Sequence, residues 1–475
     1  MRLPKLFSPL GLFLLAFVLR LIPVIAAINL PIGLDDMFQY DMLGRSLAAG
    51  EGYRWYAQPD LDLIRSYIDI DFIAPNYDPR GLETSFRAPA YPFLLAGIYT
   101  VSGLESRLLA ARLVNAALGA LLAPMAYALA RRLFPEHERA ARFAGIALAV
   151  YPMLLIYPLA LATENLFFPL VLGGLLALLR AAEKQRSRDW LLAGAILGAA
   201  TLTRSVIFAF AGLAGLWIWF GLRNVRAAVL YGLAVFALVL PWTIRNTLLE
   251  GQFTFVENSM GYNLHMGYHP EGTGTFQYGI SVELLPYLDD GERNTLGTQM
   301  AMQYIEDDPG RVPYLMARKL GYFFGLERRA ISYFYTNNFF GSIPTLPLVG
   351  LFLAFTLPFP IITTLAAAAL PFVRWTRERI LALLLLIGYI LPHVLLMAED
   401  RFHLAILPVL AVFGGFAFTQ RGELWASARR SVPRLLVAAL LVGLLWLNWG
   451  LELQRDADKL QQLFGPEGNR AGFSY

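Results

Sequence analysis

Two adjacent carboxylates, Asp35 and Asp36, directly follow the first apolar stretch of the 475-residue chain. Carboxylates at the end of a membrane helix cost free energy unless they are solvated, paired or used in chemistry. Two neighbouring negative charges repel each other, which raises the pKa of one carboxyl and suits it to take a proton from a hydroxyl group. A pair of acids that only caps a helix is the competing interpretation.

Four arginines stand in short motifs that contain proline, aromatic or polar residues. Arginine offers a planar fork of donors that fits a phosphate group, although a single arginine at a membrane edge can also be a simple headgroup contact. We predict that these four bind the phosphate of a substrate: Arg87 in Phe86–Pro92, Arg204 in Leu202–Ser205, Arg245 in Pro241–Asn246 and Arg401 in Glu399–His403.

Other polar and aromatic side chains accompany these motifs. Glu164 lies in a predicted turn between two apolar stretches, where a charge is uncommon. It either pairs with Arg204 across two helices or contacts a ligand, and both alternatives stay open. The candidates for substrate contacts are Tyr40, Tyr91, Glu164, Tyr262, Asn263 and His265; the last three offer hydrogen-bonding groups beside an aromatic face, as sugar sites commonly need.

His265 and His269, four residues apart, could bind a divalent cation together with Asp36 as a third ligand. Histidines at this spacing reach one ion only from a helix, and the flanking Gly261 and Gly267 argue against a helix. We therefore predict no metal ligands and no required cofactor, with a divalent cation as the open alternative. The acids of the first loop have irregular spacing that favours a solvated face over a calcium site: Asp60, Asp62, Asp69, Asp71 and Asp78.

The composition indicates what kind of protein must position these residues. Hydrophobic residues make up 57% of the chain and charged residues 16%, where soluble proteins have about 25%. The mean hydropathy is +0.51. So little charge cannot cover a soluble body of this size, which excludes a soluble enzyme, a disordered scaffold and a nucleic-acid-binding protein. Without cysteine, the chain has no disulfide and no cysteine nucleophile.

Apolar stretches near the ~20 residues that cross a bilayer recur along most of the chain. The short apolar segment Ala88–Ser102 is bordered by Arg87 and Arg107, which favours a helix lying in the membrane interface. We predict an all-α polytopic membrane protein with about eleven transmembrane helices, at 8–30, 107–131, 142–160, 164–181, 190–206, 207–222, 227–246, 344–372, 380–398, 402–419 and 434–452.

Lysine and arginine concentrate in alternate loops, and cytoplasmic loops are the ones that carry such an excess. This pattern predicts a cytoplasmic N-terminus and an N-terminal transmembrane module over 1–246, whose first outer loop is 31–106. A second outer loop follows at 247–343, then C-terminal helices at 344–453 and a short outer tail at 454–475. Both loops are predicted to carry interfacial helices.

This topology places all the candidate motifs on the outer side of the membrane. The second loop ends in Tyr314–Leu326, whose pattern predicts an amphipathic helix on the membrane. Acids, phosphate-binding arginines and aromatic side chains at a bilayer edge fit a sugar attached to a lipid phosphate. The lipid would lie between helices, the phosphate would contact arginine, and an aspartate would activate an acceptor hydroxyl.

The order of these motifs resembles that of the GT-C class of membrane-embedded glycosyltransferases, in particular the superfamily of protein O-mannosyltransferases and lipid A aminoarabinose transferases. The resemblance covers roughly residues 1–420. The matching pieces are the acidic pair with Phe38, Arg-x-Pro-x-Tyr-Pro at Arg87–Pro92, Thr163–Glu164, Leu202–Arg204, Pro241–Asn246, Gly261–Leu264 and Asp400–Phe402.

The resemblance implies a GT-C type bundle, a polyprenyl-phosphate sugar as donor, the first acid as general base and basic residues at the donor phosphate. The loop region 56–84 is longer than in the family pattern and the C-terminal part is shorter, so the acceptor stays open between a lipid, a glycan and a protein. The membrane itself is the remaining partner, and no nucleic acid is expected.

The sequence therefore predicts an inverting glycosyltransferase of a bacterial plasma membrane, with its active site on the extracytoplasmic side. Asp35 is the first candidate for the base and Asp36 the second. Inversion is expected because a single displacement needs one base and a leaving group. The alternative is a transporter of a lipid-linked substrate, but transporters carry ionisable groups near the midplane, whereas these acids are predicted at the outer edge.

Overall fold

The computed structural model describes residues 7–33, 35–67 and 77–473. This part of the chain is almost entirely helical. Its one sheet has two short antiparallel strands in the first long loop, β1 (Arg54–Trp55) and β2 (Leu82–Glu83).

The helices of the first half are α1 Pro9–Ala26, α2 Asp36–Ala48, α3 Gln58–Ile64, α4 Ala90–Ser102, α5 Arg107–Ala120, α6 Leu122–Leu133, α7 Glu138–Val150, α8 Pro152–Ile156, α9 Glu164–Lys184, α10 Ser187–Thr201, α11 Phe208–Leu216 and α12 Val225–Glu250. Those of the second half are α13 Met260–Tyr268, α14 Tyr278–Ser281, α15 Asp290–Asp307, α16 Arg311–Phe323, α17 Arg329–Thr336, α18 Thr345–Thr356, α19 Pro358–Ala369, α20 Arg377–Leu395, α21 Leu407–Thr419, α22 Arg421–Arg430, α23 Val432–Arg455 and α24 Ala457–Leu463.

Short 3-10 helices join several of these elements, at Tyr157–Leu159, Ser205–Ile207, Leu370–Phe372, Asp400–Ala405 and Gly468–Arg470. Helix α11 continues into a π-helical turn at Trp217–Gly221.

Seven helical segments within the described residues are long and apolar enough to cross a membrane, so the chain is an integral membrane protein. They are Pro9–Ala26, Arg107–Leu133, Glu164–Lys184, Val225–Glu250, Thr345–Phe372, Arg377–Leu395 and Val432–Arg455. Helix α7 and the helical segment Pro152–Leu159 meet at an angle of 49°, and they make an eighth span if the bent pair is counted as one.

All eleven stretches predicted as spans are helical in the structure, and seven of them are long and apolar enough to cross a membrane as one segment. The stretches predicted at 190–206, 207–222 and 402–419 are helices too, but each is shorter than a full span: α10, α11 with its π-turn, and α21. An apolar stretch in the sequence does not show where polar turns, such as the one at Arg204, end the helix. Helix α21 is buried over almost its whole length, so its apolar residues face protein.

Small residues let the membrane helices approach closely, as is common in membrane bundles. Gly194 of α10 is the clearest case, since a Cβ there would lie 2.3 Å from the carbonyl oxygen of Tyr231 in α12. A side chain at this position would therefore push the two helices apart.

Helix α16 overlaps the segment Tyr314–Leu326 that was predicted to form an amphipathic helix on the membrane, but its inner face packs on protein. Lys319 on that face is fully buried, with its ammonium 3.5 Å from the centre of the Tyr268 ring. Its Nζ also donates to the carbonyl oxygen of Leu395 at the end of α20, at 3.5 Å. Through Lys319, helix α16 thus connects the second long loop, 247–343, to the end of membrane helix α20.

Candidate active site

The acidic pair, Asp35 and Asp36, lies at the N-terminus of α2, the first helix after membrane helix α1. Asp35 is the N-cap residue of this helix, and its Oδ1 accepts a hydrogen bond from the backbone N–H of Met37 at 2.8 Å. The capping interpretation therefore holds for Asp35. Asp36 lies in the first turn and makes a different set of contacts.

Arg87 reaches Asp36 from the loop before α4. Its Nη2 donates to Asp36 Oδ1, and its Nε and Nη2 donate to Gln39 Oε1 at 2.8 and 2.6 Å. The guanidinium also lies 5.4 Å from the centre of the Tyr40 ring. Gln39 was not among the predicted residues, although its position three residues after Asp36 on a helix places both on one face.

Arg401 approaches Asp36 from the opposite end of the sequence. It belongs to the 3-10 helix Asp400–Ala405, and its Nη2 lies 4.0 Å from Asp36 Oδ2. Its Nε lies 2.6 Å from an oxygen of Glu399, a carboxylate that is almost fully buried. Asp36 thus stands between two guanidinium groups and is still 44% exposed, so the cluster is open to a ligand.

A second ion pair lies beside this cluster. Arg204 Nη1 donates to Glu164 Oε1 at 2.6 Å, so the pair between two helices that the sequence left open is formed. The ring of Phe402 links the two sites, because the guanidinium of Arg204 lies 5.1 Å and that of Arg401 5.7 Å from its centre.

The two carboxyls of the acidic pair differ in acidity. Burial alone would raise the pKa of Asp36, but the charges of Arg87 and Arg401 outweigh it and hold that pKa below its ordinary value. The side chain of Asp35 reaches solvent, yet the protein packed around its carboxyl raises its pKa above the ordinary value. The hydrogen bond from Met37 opposes this rise and the charge of Asp36 adds to it.

Tyr40 and Tyr91 form an edge-to-face pair with ring centres 5.6 Å apart. Tyr91 is fully buried behind Tyr40, and its hydroxyl accepts a hydrogen bond from Asn115 at 3.1 Å. Burial raises the pKa of Tyr40 to about 12, so its phenol keeps its proton at neutral pH. Tyr40 therefore lies beside the cluster and Tyr91 supports it from behind.

The segment before Arg87 is held by Asp290 of α15, in the second outer loop. Its Oδ2 accepts hydrogen bonds from Thr84 Oγ1 at 2.5 Å and from the backbone N–H groups of Ser85 and Phe86 at 2.8 and 3.1 Å. The two long loops, 31–106 and 247–343, therefore meet next to Arg87. No signal in the sequence predicts this contact, because it joins residues more than 200 positions apart.

Arg245 lies next to this segment and is separate from the Asp36 cluster. Its Nη1 donates to the carbonyl oxygen of Thr84 at 2.6 Å, and its guanidinium lies 5.0 Å from the centre of the Trp242 ring. The Tyr53 hydroxyl, in turn, donates to the carbonyl oxygen of Arg87 at 2.9 Å. Arg245 thus borders the backbone that carries Arg87.

The predicted absence of a helix around His265 is wrong, because α13 runs from Met260 to Tyr268. Its two glycines mark places where other backbones come close. A Cβ at Gly261 would lie 1.9 Å from the carbonyl oxygen of Asn294, and one at Gly267 would lie 2.0 Å from that of Leu396.

The side chains of α13 divide between two neighbourhoods. Tyr262 contacts the Phe86 ring at 5.6 Å between centres, next to Arg87, and Asn263 is half-buried beside it. His265 is fully buried, and its Nε2 lies 3.1 Å from an oxygen of Glu283. The carboxylate next to His265 is therefore that of Glu283, and not that of Asp36 as the sequence suggested.

The described acids of the first loop form separate ion pairs. Asp60 pairs with Arg45 at 2.7 Å, Asp62 with Arg65 at 3.2 Å and Asp78 with Arg80 at 2.9 Å. Asp69 and Asp71 lie outside the described residues.

Residues 86–244 match the sequence profile of a family described as dolichyl-phosphate-mannose-protein mannosyltransferase. The matched part starts next to Arg87, ends next to Arg245 and includes both Glu164 and Arg204. No curated protein matches the chain.

The fold is similar to that of two solved membrane enzymes. ArnT from Cupriavidus metallidurans, whose crystal structure contains undecaprenyl phosphate, gives a TM-score of 0.50 at 16% identity over 98% of this chain and 74% of ArnT. The oligosaccharyltransferase of Archaeoglobus fulgidus, tethered to an acceptor peptide, gives 0.50 at 17% identity over 99% of this chain and 61% of its own. The chain thus spans about three fifths of the length of the oligosaccharyltransferase. These likenesses confirm the GT-C fold that the order of motifs predicted.

Proposed function

We propose that this GT-C fold protein is a glycosyltransferase that moves a sugar from a polyprenyl-phosphate donor to an acceptor on the extracytoplasmic side of the membrane. The observation that carries the proposal is the position of Asp36 between Arg87 and Arg401, next to a second carboxylate. Two cations and two acids in an open cluster can bind an anionic leaving group and accept a proton at adjacent points. The match of residues 86–244 to a mannosyltransferase family supports this chemistry.

The arginines are proposed to hold the donor phosphate. Arg87 and Arg401 already face one anion, the Asp36 carboxylate, and a phosphate placed beside it would share their donors. Arg204 and Arg245 flank the cluster and are proposed as outer contacts for the phosphate. The ArnT structure contains undecaprenyl phosphate, which supports a donor of this class here.

Asp35 is proposed as the general base, because the pKa of its carboxyl is raised whereas the pKa of the Asp36 carboxyl is lowered. Environments that separate the pKa values of two neighbouring carboxyls assign them different tasks. Asp35, with the raised pKa, is the better proton acceptor, whereas Asp36 is kept ionised and orients the arginines.

In the proposed step, the oxygen or nitrogen of the acceptor attacks the anomeric carbon of the donor sugar. Its proton passes to Asp35, the bond between the anomeric carbon and the phosphate oxygen breaks, and polyprenyl phosphate leaves with the bonding electron pair beside Arg87 and Arg401. One displacement of this kind inverts the anomeric configuration, so we propose an inverting enzyme.

Recognition of the sugar is assigned to polar and aromatic side chains on α13 and α2, near Arg87. Tyr262 and Asn263 on α13, with Tyr40 on α2, offer hydroxyl and amide groups beside aromatic faces. Glu164, which pairs with Arg204, is proposed to lie at the edge of this sugar site. Fully buried His265 is proposed to act by positioning α13. The oligosaccharyltransferase was captured with an acceptor peptide; here the acceptor is proposed to be a lipid, a glycan or a protein.

The proposed setting is a bacterial plasma membrane, with the N-terminus in the cytoplasm and the cluster outside. The positive charge of the short loops supports this orientation. Neither a metal ion nor another cofactor enters the proposed step.

A direct test is to incubate the purified protein with a panel of polyprenyl-phosphate sugars and a total membrane extract. Mass spectrometry then identifies which donor is consumed and which molecule gains the sugar. The expected result is consumption of one donor by the wild type and by Arg65→Ala, an exposed arginine of the first loop, but not by Asp35→Asn. If no donor is consumed and vesicles containing the protein instead move a lipid-linked substrate, the transporter alternative replaces this proposal.

A further inference from the structure

Three metal-ligating side chains of the second outer loop converge at the end of α13. His265 and His269 stand four residues apart, and Glu283 follows α14. One nitrogen or oxygen of each lies within 4.8 Å of those of the other two. We propose that His265, His269 and Glu283 bind a zinc ion.

The distances fit the edges of a zinc coordination sphere. Two ligands at about 2.0–2.1 Å from zinc, at a tetrahedral angle, lie about 3.3 Å from each other. Here Glu283 Oε2 lies 3.1 Å from His265 Nε2 and 3.5 Å from His269 Nε2. Small side-chain shifts therefore suffice to place one ion in contact with all three atoms.

The protonation of the two imidazoles allows this arrangement. In the metal-free state, Glu283 can accept hydrogen bonds from both Nε2 atoms. Nδ1 of His265 is buried and has no hydrogen-bond partner among the described residues, so this ring can move its proton there and offer Nε2 to the ion. His269 must do the same, and it then gives up the 3.2 Å hydrogen bond that its Nδ1 accepts from the backbone N–H of Glu271.

The ligand set favours zinc over the alkaline-earth ions. Two imidazole nitrogens and one carboxylate form a set that zinc uses in catalytic sites, with a fourth position open to water, whereas Mg²⁺ and Ca²⁺ prefer all-oxygen ligands. The ring of Tyr304 lies 5.9 Å from that of His265 and 5.4 Å from that of His269, and gives the site an aromatic wall. Glu283 is 42% exposed, which gives an ion a path from solvent.

A bound ion would fasten α13 to the segment after α14. Since α13 also carries Tyr262 and Asn263, its position fixes the wall of the proposed sugar site next to Arg87. Asp36 does not belong to this group of ligands, so the role of the ion is to order the loop, and zinc binding stands independently of the proposed transferase activity.

The test measures metal binding by the purified full-length protein in detergent. After chelator treatment, the protein is dialysed against ZnCl2 or MgCl2, and its metal content is determined by mass spectrometry. The wild type is expected to retain about one zinc and no magnesium, and zinc is expected to raise its Tm. Substitution of a ligand should weaken zinc binding at least as much as the roughly 10–100-fold typical for residues that only orient a ligand.

The informative variants are His269→Ala and Glu283→Ala, because neither removes the fully buried His265 ring. Both should lose the zinc and the zinc-dependent rise in Tm, while Glu292→Ala, an exposed acid of the same loop, should keep both. With Co²⁺ in place of zinc, the wild type should show the visible absorption of a four-coordinate ion. Wild-type protein that retains no zinc, or ligand variants that retain as much as the wild type, would overturn the proposal, whatever the transferase assay shows.

Discussion

Asp36 and Arg87 form an ion pair that joins the first turn of α2 to the loop before α4, 51 positions later in the chain. The pair is stable because each partner has further contacts: Arg87 also donates to Gln39, and Asp36 also faces Arg401. Among the described residues, neighbouring Asp35 forms no ion pair, and its Oδ1 caps the helix. This asymmetry predicts different effects for the two acids.

Asp35→Asn should lower kcat by about 10²–10⁴-fold, as expected for loss of a general base, and leave binding of the bare polyprenyl phosphate nearly unchanged. Asp36→Asn should act mainly on donor binding, because it releases Arg87 and Arg401. Steady-state kinetics and a binding assay with polyprenyl phosphate separate the two effects. Asp62→Asn, in an exposed pair of the same loop, serves as control; wild-type turnover by Asp35→Asn would remove that residue from the mechanism.

The activity of the wild type should fall as the pH is lowered through the pKa of Asp35. A base must be deprotonated to act, and the pKa of Asp35 is raised, so the loss should begin at a higher pH than an ordinary aspartate would give. The pH profile of kcat/KM shows this limb. The residual activity of Asp35→Asn should lack it, and an unchanged profile in that variant would assign the limb to another group.

Arg87→Ala and Arg401→Ala should each weaken binding of polyprenyl phosphate by roughly 10–150-fold, since a hydrogen bond to a charged group is worth about 1.5–3 kcal/mol. Arg245→Ala should have a smaller effect, because Arg245 contacts the backbone of Thr84 and not the acidic cluster. Titration of the labelled lipid into purified variants, with Arg65→Ala as control, gives the Kd values. Equal Kd values across the series would place the phosphate elsewhere.

Glu164 and Arg204 should be coupled in stability. The Glu164 side chain is 7% exposed, so Arg204→Met leaves a buried carboxylate without its partner, which costs about 3–5 kcal/mol. The double variant Glu164→Gln/Arg204→Met should recover most of this loss. Thermal unfolding of the two single variants and the double variant gives the coupling free energy, and purely additive losses would mean that the pair contributes nothing as a pair.

Lys319 should make the protein more stable as the pH rises from about 7. Burial lowers the pKa of its ammonium to about 7, from 10.5 in the unfolded chain. Between these values the unfolded state binds more protons, so the free energy of unfolding increases with pH, by up to about 1.4 kcal/mol per pH unit. Unfolding at pH 7 and pH 9 should show this rise in the wild type but not in Lys319→Met; equal pH dependence in both would argue against a buried, neutralised lysine.

The orientation can be read with single cysteines, since the chain has none of its own. Glu271→Cys in the second loop should react with an impermeant reagent added outside intact cells, and Gln185→Cys, between α9 and α10, should not. Both positions are exposed, whereas Thr275 in the same loop is buried and would label poorly. The reverse pattern would place the cluster in the cytoplasm and contradict the proposed donor.

The class of the protein and most of the residues worth testing can be predicted from the amino-acid sequence alone. Apolar stretches of membrane length have one physical meaning, because a backbone in lipid must satisfy its own hydrogen bonds. The order of short motifs was enough to indicate the GT-C fold, and each of Arg87, Glu164, Arg204 and Arg401 stood out as a charge at the edge of an apolar stretch.

The pairing of these charges depends on long-range packing. The partners of Asp36 lie 51 and 365 positions away in the chain, and the hydrogen bond from Thr84 to Asp290 joins residues 206 positions apart. No local sequence pattern predicts contacts over such separations. The helix at Met260–Tyr268 was missed because glycine lowers helix propensity, whereas here Gly261 and Gly267 serve close backbone contacts that form only when other helices arrive. Helix ends, ion-pair partners and the convergence of His265, His269 and Glu283 all depend on long-range packing. For that reason the sequence indicated the arginines and acids of the Asp36 cluster, but neither their pairing nor the contributions of Gln39, Asp290 and Glu283.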